Sequence, residues 1–571
     1  MTGAAAHPGL AGIGVGRRGV VGPVRHVRGG PELPADEPAP TDPEAAVARV
    51  EEALGDVRAD LTARSEAAAG STLGEVLGAA ALMAGDPALA ARAAELVRSG
   101  TGPAHAVHDA VEEFAATFES IGGYMAERVT DLRSVRDRVV ARLTGQPEPG
   151  AELSEPAVVV ARDLSPADTS ALDLSLVLGI VTEEGGPTSH TAIIARQLGL
   201  PCVVRAAGAT GLPDGGIVAV DAANGRVLLD PDDDVRREIE GRTAALDALE
   251  SDREPGATSD GHAVQLLANI GTVEDAERAA ATAAEGVGLF RTEVLFLDAA
   301  EAPTVEDQAE AYAAVLSAFS GRKVVVRTLD AGADKPLAFA NQDDEDNPAL
   351  GVRGYRLVRT MPDLVQDQLR ALAQAREQAG EGAAELWVMA PMIATAAEAR
   401  EFAAAAQEAG LQGAGVKVGV MVEVPGAALR AEGVLAEVDF GSLGTNDLAQ
   451  YTMASDRLLG GLADLLDPWQ PAVLDLVART ASAGVAAGKP VGVCGESAGD
   501  PLMALVLTGL GVTSLSMSTG ALAEVRHALR SHTSAECEAM AQAALAAGDA
   551  GAAREAVARL LHADVREVLG I

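Results

Sequence analysis

From about residue 260 onward, short apolar β-prone runs alternate with longer helical stretches rich in Ala, Glu and Arg. Eight such runs recur: VQLLANI (264–270), GVGLFR (286–291), KVVVRTL (323–329), LWVMAPM (386–392), VKVGVMVEV (416–424), DFGSLG (439–444), PVGVCGE (490–496) and SLSMS (514–518). Parallel neighbours need a crossover, usually a helix, between strands. Eight such units in one stretch of this length point to a closed (β/α)8 TIM barrel over residues 259–571. An open doubly wound sheet is the rival, but its glycine-rich nucleotide loop is missing.

Upstream the period changes twice. Residues 10–28 read as short β-prone runs punctuated by glycine, and ELPADEPAPTDPE (32–44) leads into a helix start. From Ala45 to Leu143 the pattern is helical, broken at Gly70, Gly85-Asp86-Pro87 and Gly100-Thr101-Gly102-Pro103. Then PAVVVA (156–161), SLVLGIV (175–181), CVV (202–204) and IVAVD (217–221) read as buried strands of a compact β/α unit. The first strands are expected to pair with that unit, so the helical block is an insertion. The predicted organisation is an α/β multidomain chain: residues 1–30 plus 146–230 as a β/α domain, 31–145 as an α-helical bundle, 231–258 as a linker helix, then the barrel.

Composition excludes several classes. Lys and Arg total 44 against 83 Asp and Glu, a net charge of −39. A chain this acidic offers nucleic acid no basic surface and is repelled by anionic membranes. Aromatic residues make up 2% of the chain, too few for base-stacking platforms. Cys202, Cys494 and Cys537 are far apart and form neither a metal spacing nor a disulfide framework. No apolar core follows a basic start, so no signal peptide is expected, and no run of eighteen apolar residues suggests a spanning helix. The expectation is a soluble, cytoplasmic protein.

In a TIM barrel the chemistry sits at the carboxyl ends of the strands. Here those ends carry Arg291-Thr292-Glu293, Arg327-Thr328-Leu329-Asp330, Glu423, Gly444-Thr445-Asn446-Asp447 with Arg457 downstream, and Cys494-Gly495-Glu496. Arginine forks suit phosphate and carboxylate oxygens. Glu423 and Asp447 are the oxygen ligands Mg²⁺ takes alongside substrate and water. In so acidic a chain, the expectation is a local positive cluster that attracts an anionic substrate. A second candidate is GGPTSHTAIIARQLGLP (185–201): a Gly-Gly turn, Thr188 or Ser189 as helix cap, and His190 in the first turn, where free amides and the helix dipole favour an anion such as a phosphoryl group. Cys494 reads either as a core cysteine or as a proton-transfer group.

These segments resemble Enzyme I of the bacterial phosphoenolpyruvate-dependent sugar phosphotransferase system. GGPTSHTAIIAR (185–196) resembles that family's phosphohistidine segment. GVGLFRTEVLFL (286–297), VVVRTLDAGADKPL (324–337), NPALGVRGYRL (347–357), VMVEVPGAAL (420–429), GSLGTNDLAQYTMASDR (441–457) and VGVCGESAGDP (491–501) resemble its phosphoenolpyruvate-binding barrel. AERVTDLRSVRDRVVARL (126–143) is similar to the last helix of its carrier-docking domain, whereas residues 35–120 match loosely. The resemblance implies a phosphoenolpyruvate-protein phosphotransferase that moves a phosphoryl group through a phosphohistidine to the phosphocarrier protein HPr and releases pyruvate, the first step of sugar uptake. It implies His190 as nucleophile, Cys494 as proton donor, Arg291, Arg327, Asn446, Asp447 and Arg457 at the substrate, Glu423 and Asp447 on Mg²⁺, and a homodimer formed through the barrel. The β/α domain would swing between barrel and carrier on the 235–253 helix. Three positions depart from the family's pattern: Pro187 where Arg is common, Val424 where Thr or Ile is usual, and Ala333 for a second glycine before Asp334-Lys335. A dikinase that shares these domains would need an ATP domain, for which residues before 150 show no phosphate-cradling loop. A non-catalytic signalling scaffold should have lost some of His190, Asp447 or Cys494.

Overall fold

A computed structural model describes residues 9–571 apart from 28–29, 68–71, 122–127, 151–152, 165–167, 170–171, 187–188, 297–298, 300, 332–336, 338, 341–344, 381, 458–461 and 463. The chain divides into two compact units, the first running to Ala245 and the second from Leu246 to Leu569.

The first unit holds one eight-stranded sheet in the order β1-β8-β7-β3-β4-β5-β6-β2. Its strands are β1 (Gly9–Ala11), β2 (Ile13–Val15), β3 (Gly19–His26), β4 (Ala157–Ala161), β5 (Val177–Thr182), β6 (Cys202–Val204), β7 (Ile217–Asp221) and β8 (Arg226–Leu229). β3 pairs in parallel with β4, although 130 residues separate their ends. Between them the described residues form five helices, Pro43–Ala67, Thr72–Ala84, Pro87–Arg98, Pro103–Ile121 and Val129–Thr144. The helical block is thus inserted between adjacent strands of one sheet. Its core is built on stripes such as Val50, Leu54, Val57 and Leu61, spaced to fall on one helix face.

β4, AVVVA, is buried along its whole length because both faces of the sheet are covered. Val159 and Ala161 pack on one side with Ile180, Ala192 and Cys202, while Val158 and Val160 pack on the other with Val181, Val203 and Val218. The alternation is the two-residue period of a strand. Arg138, on the last inserted helix, is buried and reaches Asp168 at 2.9 Å and Glu148 at 3.3 Å, tying the insertion to the segment after β4.

The second unit is a closed barrel of parallel strands: β9 (Gln265–Ile270), β10 (Gly286–Arg291), β11 (Lys323–Arg327), β12 (Glu385–Ala390), β13 (Val416–Val422), β14 (Phe440–Leu443), β15 (Val491–Val493) and β16 (Ser514–Met517), with β16 closing on β9. The same two-residue period sorts the apolar residues. Leu289, Val325, Trp387, Met389, Met421, Phe440 and Cys494 form a core inside the barrel. Val324, Val326, Val388, Val420 and Val422 face the surrounding helices. Thr272, Thr395 and Thr533 open three of those helices with reciprocal capping boxes. Among the described residues no helix is long and apolar enough to cross a membrane.

Candidate active site

Because every barrel strand runs the same way, all the carboxyl ends open at one mouth. Arg291 and Arg327 are the last residues of β10 and β11, Glu423 follows β13, and Cys494 follows β15. Asn446 and Asp447 stand in the first turn of the Thr445–Met453 helix after β14.

A continuous run of ion pairs crosses this mouth. Arg327 pairs with Glu293 and, at 3.0 Å, with Asp330. Both Asp330 oxygens accept from Arg353 Nη2, at 3.2 and 3.1 Å. Arg353 Nη1 donates to Asp447 Oδ1 at 3.1 Å and to the Tyr451 hydroxyl at 3.2 Å, and Asp447 Oδ2 accepts from Arg457 at 3.5 Å. Arg353 and Asp330 have no exposed surface. The positive cluster expected from the sequence is therefore an alternation of charges instead. A buried guanidinium without a counter-charge costs too much to persist, so each of these arginines is matched by a carboxylate.

Glu423 is fully buried, and its Oε1 accepts the Met392 amide at 2.6 Å. Met392 adopts φ +59, unusual for a residue with a side chain, and this aims its N–H at the carboxylate. Glu423 Oε2 is buried with no hydrogen-bond partner among the described residues. Burial first, then the Asp447 and Asp330 charges, push the Glu423 carboxyl up, against the pull of Arg327 and Arg353. Gly444 leaves room there, since a Cβ on it would lie 2.7 Å from Oε2. A neighbouring carboxylate and an orphaned oxygen are what a hard divalent cation relieves, so Glu423 and Asp447 fit Mg²⁺. Among the described residues no group of three or more His, Cys, Asp and Glu side chains could hold a metal, so the remaining ligands would be substrate and water oxygens.

Cys494 is buried against the Leu443 carbonyl, its Sγ 3.6 Å away. Burial pushes the thiol up to about 11, which keeps its proton on at neutral pH. Arg291 and Asn446 are exposed, and Asn446 Oδ1 accepts the Glu496 amide at 3.3 Å. Ala333, Asp334 and Lys335, which carry one departure from the family's pattern, lie outside the described residues.

Three family models match in succession: "PEP-utilising enzyme, N-terminal" over residues 11–128, "PEP-utilising enzyme, mobile domain" over 153–225 and "PEP-utilising enzyme, PEP-binding domain" over 247–534. A phosphoenolpyruvate-protein phosphotransferase of Streptomyces coelicolor is 51% identical across 97% of this chain and 99% of its own length. Those of Staphylococcus carnosus and Bacillus subtilis are each 38% identical, across 90% and 89% of this chain and 92% of their own lengths. The chain belongs to the phosphoenolpyruvate-protein phosphotransferase family.

For this family of enzymes the sequence singled out one further group, His190, in the first compact unit, whereas the other seven site residues are in the second. Ser189 caps the His190–Leu198 helix, its Oγ accepting the Ala192 amide at 3.4 Å, so His190 is the first helical residue. Thr191 Oγ1 donates to the Leu164 carbonyl at 3.1 Å and pins that turn to the segment after β4. Gly185, at φ +85, gives its carbonyl to Arg205 Nε at 2.8 Å. Pro187 and Thr188 lie outside the described residues. Sequence reasoning missed Arg353 as the residue that joins Asp330 to Asp447, although it stands in the NPALGVRGYRL segment.

Proposed function

We propose that the barrel mouth binds phosphoenolpyruvate and delivers its phosphoryl group to His190, which passes it to a histidine of the carrier protein HPr. The observation that carries this reading is the mouth itself, where a buried carboxylate with an orphaned oxygen, arginines and a protonated thiol meet. Arg291, Arg327 and Arg457 hold the phosphate and position the substrate, and Asn446 contacts it. Glu423 and Asp447 hold Mg²⁺, which when bound offsets charge on the phosphoryl oxygens and the departing enolate.

The bond from phosphorus to the enol oxygen breaks as a bond to the His190 imidazole forms. The enolate carbon then takes the Cys494 proton to give pyruvate, and the thiolate regains a proton from solvent. Passing the phosphoryl through a histidine splits one transfer into two steps. Since Arg327, Arg353 and Arg457 already face carboxylates, the extra positive charge that a highly anionic substrate needs would come from Arg291 and the cation. The His190 unit must serve both barrel and carrier, with the Asp233–Glu250 helix as hinge. The helical insertion is the docking domain for HPr, and the enzyme acts as a cytoplasmic homodimer.

Pyruvate release from phosphoenolpyruvate, measured with Mg²⁺ and HPr, tests the mouth assignment. Glu423→Gln and Asp447→Asn should each abolish it while leaving the folded circular dichroism spectrum intact. Undiminished turnover in both variants would overturn the assignment.

A further inference from the structure

The helix Pro362–Ala379, between β11 and β12, packs one face into the core outside the barrel strands. That face is apolar at Val365, Leu369, Leu372 and Ala375, yet it also carries a buried amide, Gln368. A leucine would bury more apolar surface there, and a carboxamide taken out of water costs free energy unless its polar atoms are paired. Gln368 is paired at both ends of its amide, and its partners lie on the chain segments that build the reaction mouth.

The Leu329 amide donates to Gln368 Oε1 at 2.7 Å. A backbone N–H can only donate, so this bond fixes which way round the side-chain amide sits. Nε2 of Gln368 then donates to Thr292 Oγ1 and to the Tyr312 hydroxyl, each at 3.0 Å. Thr292 gives its own hydrogen to the Arg327 carbonyl at 2.9 Å, and Tyr312 gives its own to Gln308 Oε1 at 3.1 Å. Gln308 Nε2 ends the series on the Pro303 carbonyl at 3.2 Å. Thr292, Tyr312 and Gln308 are all buried.

β10 and β11 pair as far as Arg291 opposite Arg327, and there the ladder ends. β10 passes into the 3-10 turn Thr292–Phe296, while the Thr328 amide turns to the Met389 carbonyl of β12. Gln368 bridges the two exits beyond that point. Thr292 lies between Arg291 and Glu293, the carboxylate paired with Arg327, and Leu329 directly precedes Asp330, which pairs with Arg327 and Arg353. One amide therefore sets the spacing of the backbones that carry both arginines and the carboxylates that hold Arg327.

We propose that Gln368 is a positioning residue for phosphoryl transfer, fixing from the helix layer the separation of Arg291 and Arg327 and so the fit of the mouth to the phosphoryl oxygens. It stands outside the mouth and acts through Thr292 and Leu329. The inference rests on the barrel mouth as the phosphoenolpyruvate site. Donors aimed at developing charge contribute most when their spacing is held in advance, and a misplacement of about 1 Å can cost on the order of 10²-fold in rate.

The test compares two chemically identical substitutions in the full chain, Gln368→Met and Gln308→Met. Each removes one buried amide from the same series of hydrogen bonds, but only the first breaks the bridge between Thr292 and Leu329. Pyruvate release is followed with Mg²⁺ and HPr as phosphoenolpyruvate is varied, below the melting transition of both variants. Gln368→Met should lower kcat/KM by about tenfold or more, mainly through kcat, because displaced arginines still attract the anion but fit its transition state poorly. Gln308→Met should keep the parent's kcat and KM. Thr292→Val combined with Gln368→Met should lose less than the product of the separate losses, since both break one bridge. Amide hydrogen exchange at Leu329 should quicken in Gln368→Met and stay slow in Gln308→Met, which tests the bridge without reference to turnover. Equal kinetic losses in the two methionine variants would overturn the proposal, as would a Leu329 amide that stays protected in Gln368→Met. A parent that releases no pyruvate would refute the reading of the mouth, whereas an active parent matched by its Gln368→Met variant would refute the positioning role alone.

Discussion

Arg353→Met removes the guanidinium that joins Asp330 to Asp447. Taking one partner from a buried ion pair costs about 3–5 kcal/mol, because the remaining charge is left desolvated. Here the loss is cushioned unequally. Asp330 keeps Arg327 at 3.0 Å, whereas Asp447 keeps, among the described residues, only Arg457 at 3.5 Å, a side chain that is partly exposed. The lower end of the range, about 3 kcal/mol, is therefore expected, or roughly a hundredfold in the unfolding equilibrium. In a unit of this size that should lower the barrel's melting transition by roughly 4–5 °C. Pyruvate release should fall as well, because Asp447 loses the contact that fixes its carboxylate. Arg353→Lys should recover only part of either property, since one ammonium cannot reproduce the fork that reaches two carboxylates. Calorimetry of the barrel transition, read beside the rate of pyruvate release, tests both. A methionine variant that melts within a degree of the parent and turns over normally would refute the clamp.

Other substitutions probe the same mouth. Gly354 has φ +57, and a Cβ on it would lie 2.9 Å from Met392 Cβ, so Gly354→Ala should cost at least about 1–2 kcal/mol and reduce activity by disturbing the Met392 amide that holds Glu423. Denaturant melts and turnover check this, and an alanine variant as stable and active as the parent would contradict it. Burial pushes Cys494 up to about 11 and Cys202 and Cys537 up to about 12. At pH 8 all three should stay protonated and react with a thiol reagent only on unfolding, and rapid modification of the native chain would contradict the burial assigned to them. Cys494→Ala should slow pyruvate formation by about 10²–10⁴-fold, the usual contribution of a positioned proton donor, without moving the melting transition, and a turnover assay decides it.

What could be read from the sequence follows how local each determinant is. β11 was legible because Val324, Val325 and Val326 announce a strand buried on both faces. The Ser189 cap was legible because its partner, Ala192, is three residues away. The ion-pair run was not legible. Arg353 meets Asp330 across 23 residues and Asp447 across 94, through a connection with no periodic pattern. A strand-end list shows which charges reach the mouth but not which neutralise one another, so the expected positive cluster overlooked Glu293 and Asp330 as counter-charges. The inserted helical block was legible as helix, and its placement between β3 and β4 followed from expecting the first strands to pair with the later ones. Met392 gave no signal, because its left-handed backbone arises from the approach of Gly354 and Glu423, both distant in sequence.

The most direct test of the central claim is to incubate the protein with phosphoenolpyruvate labelled in its phosphoryl group, in Mg²⁺, beside His190→Ala. Acid-labile, base-stable label on the parent alone, with pyruvate released in step, is the result expected. Label that persists in His190→Ala, or a folded parent that takes up none, would contradict transfer to His190.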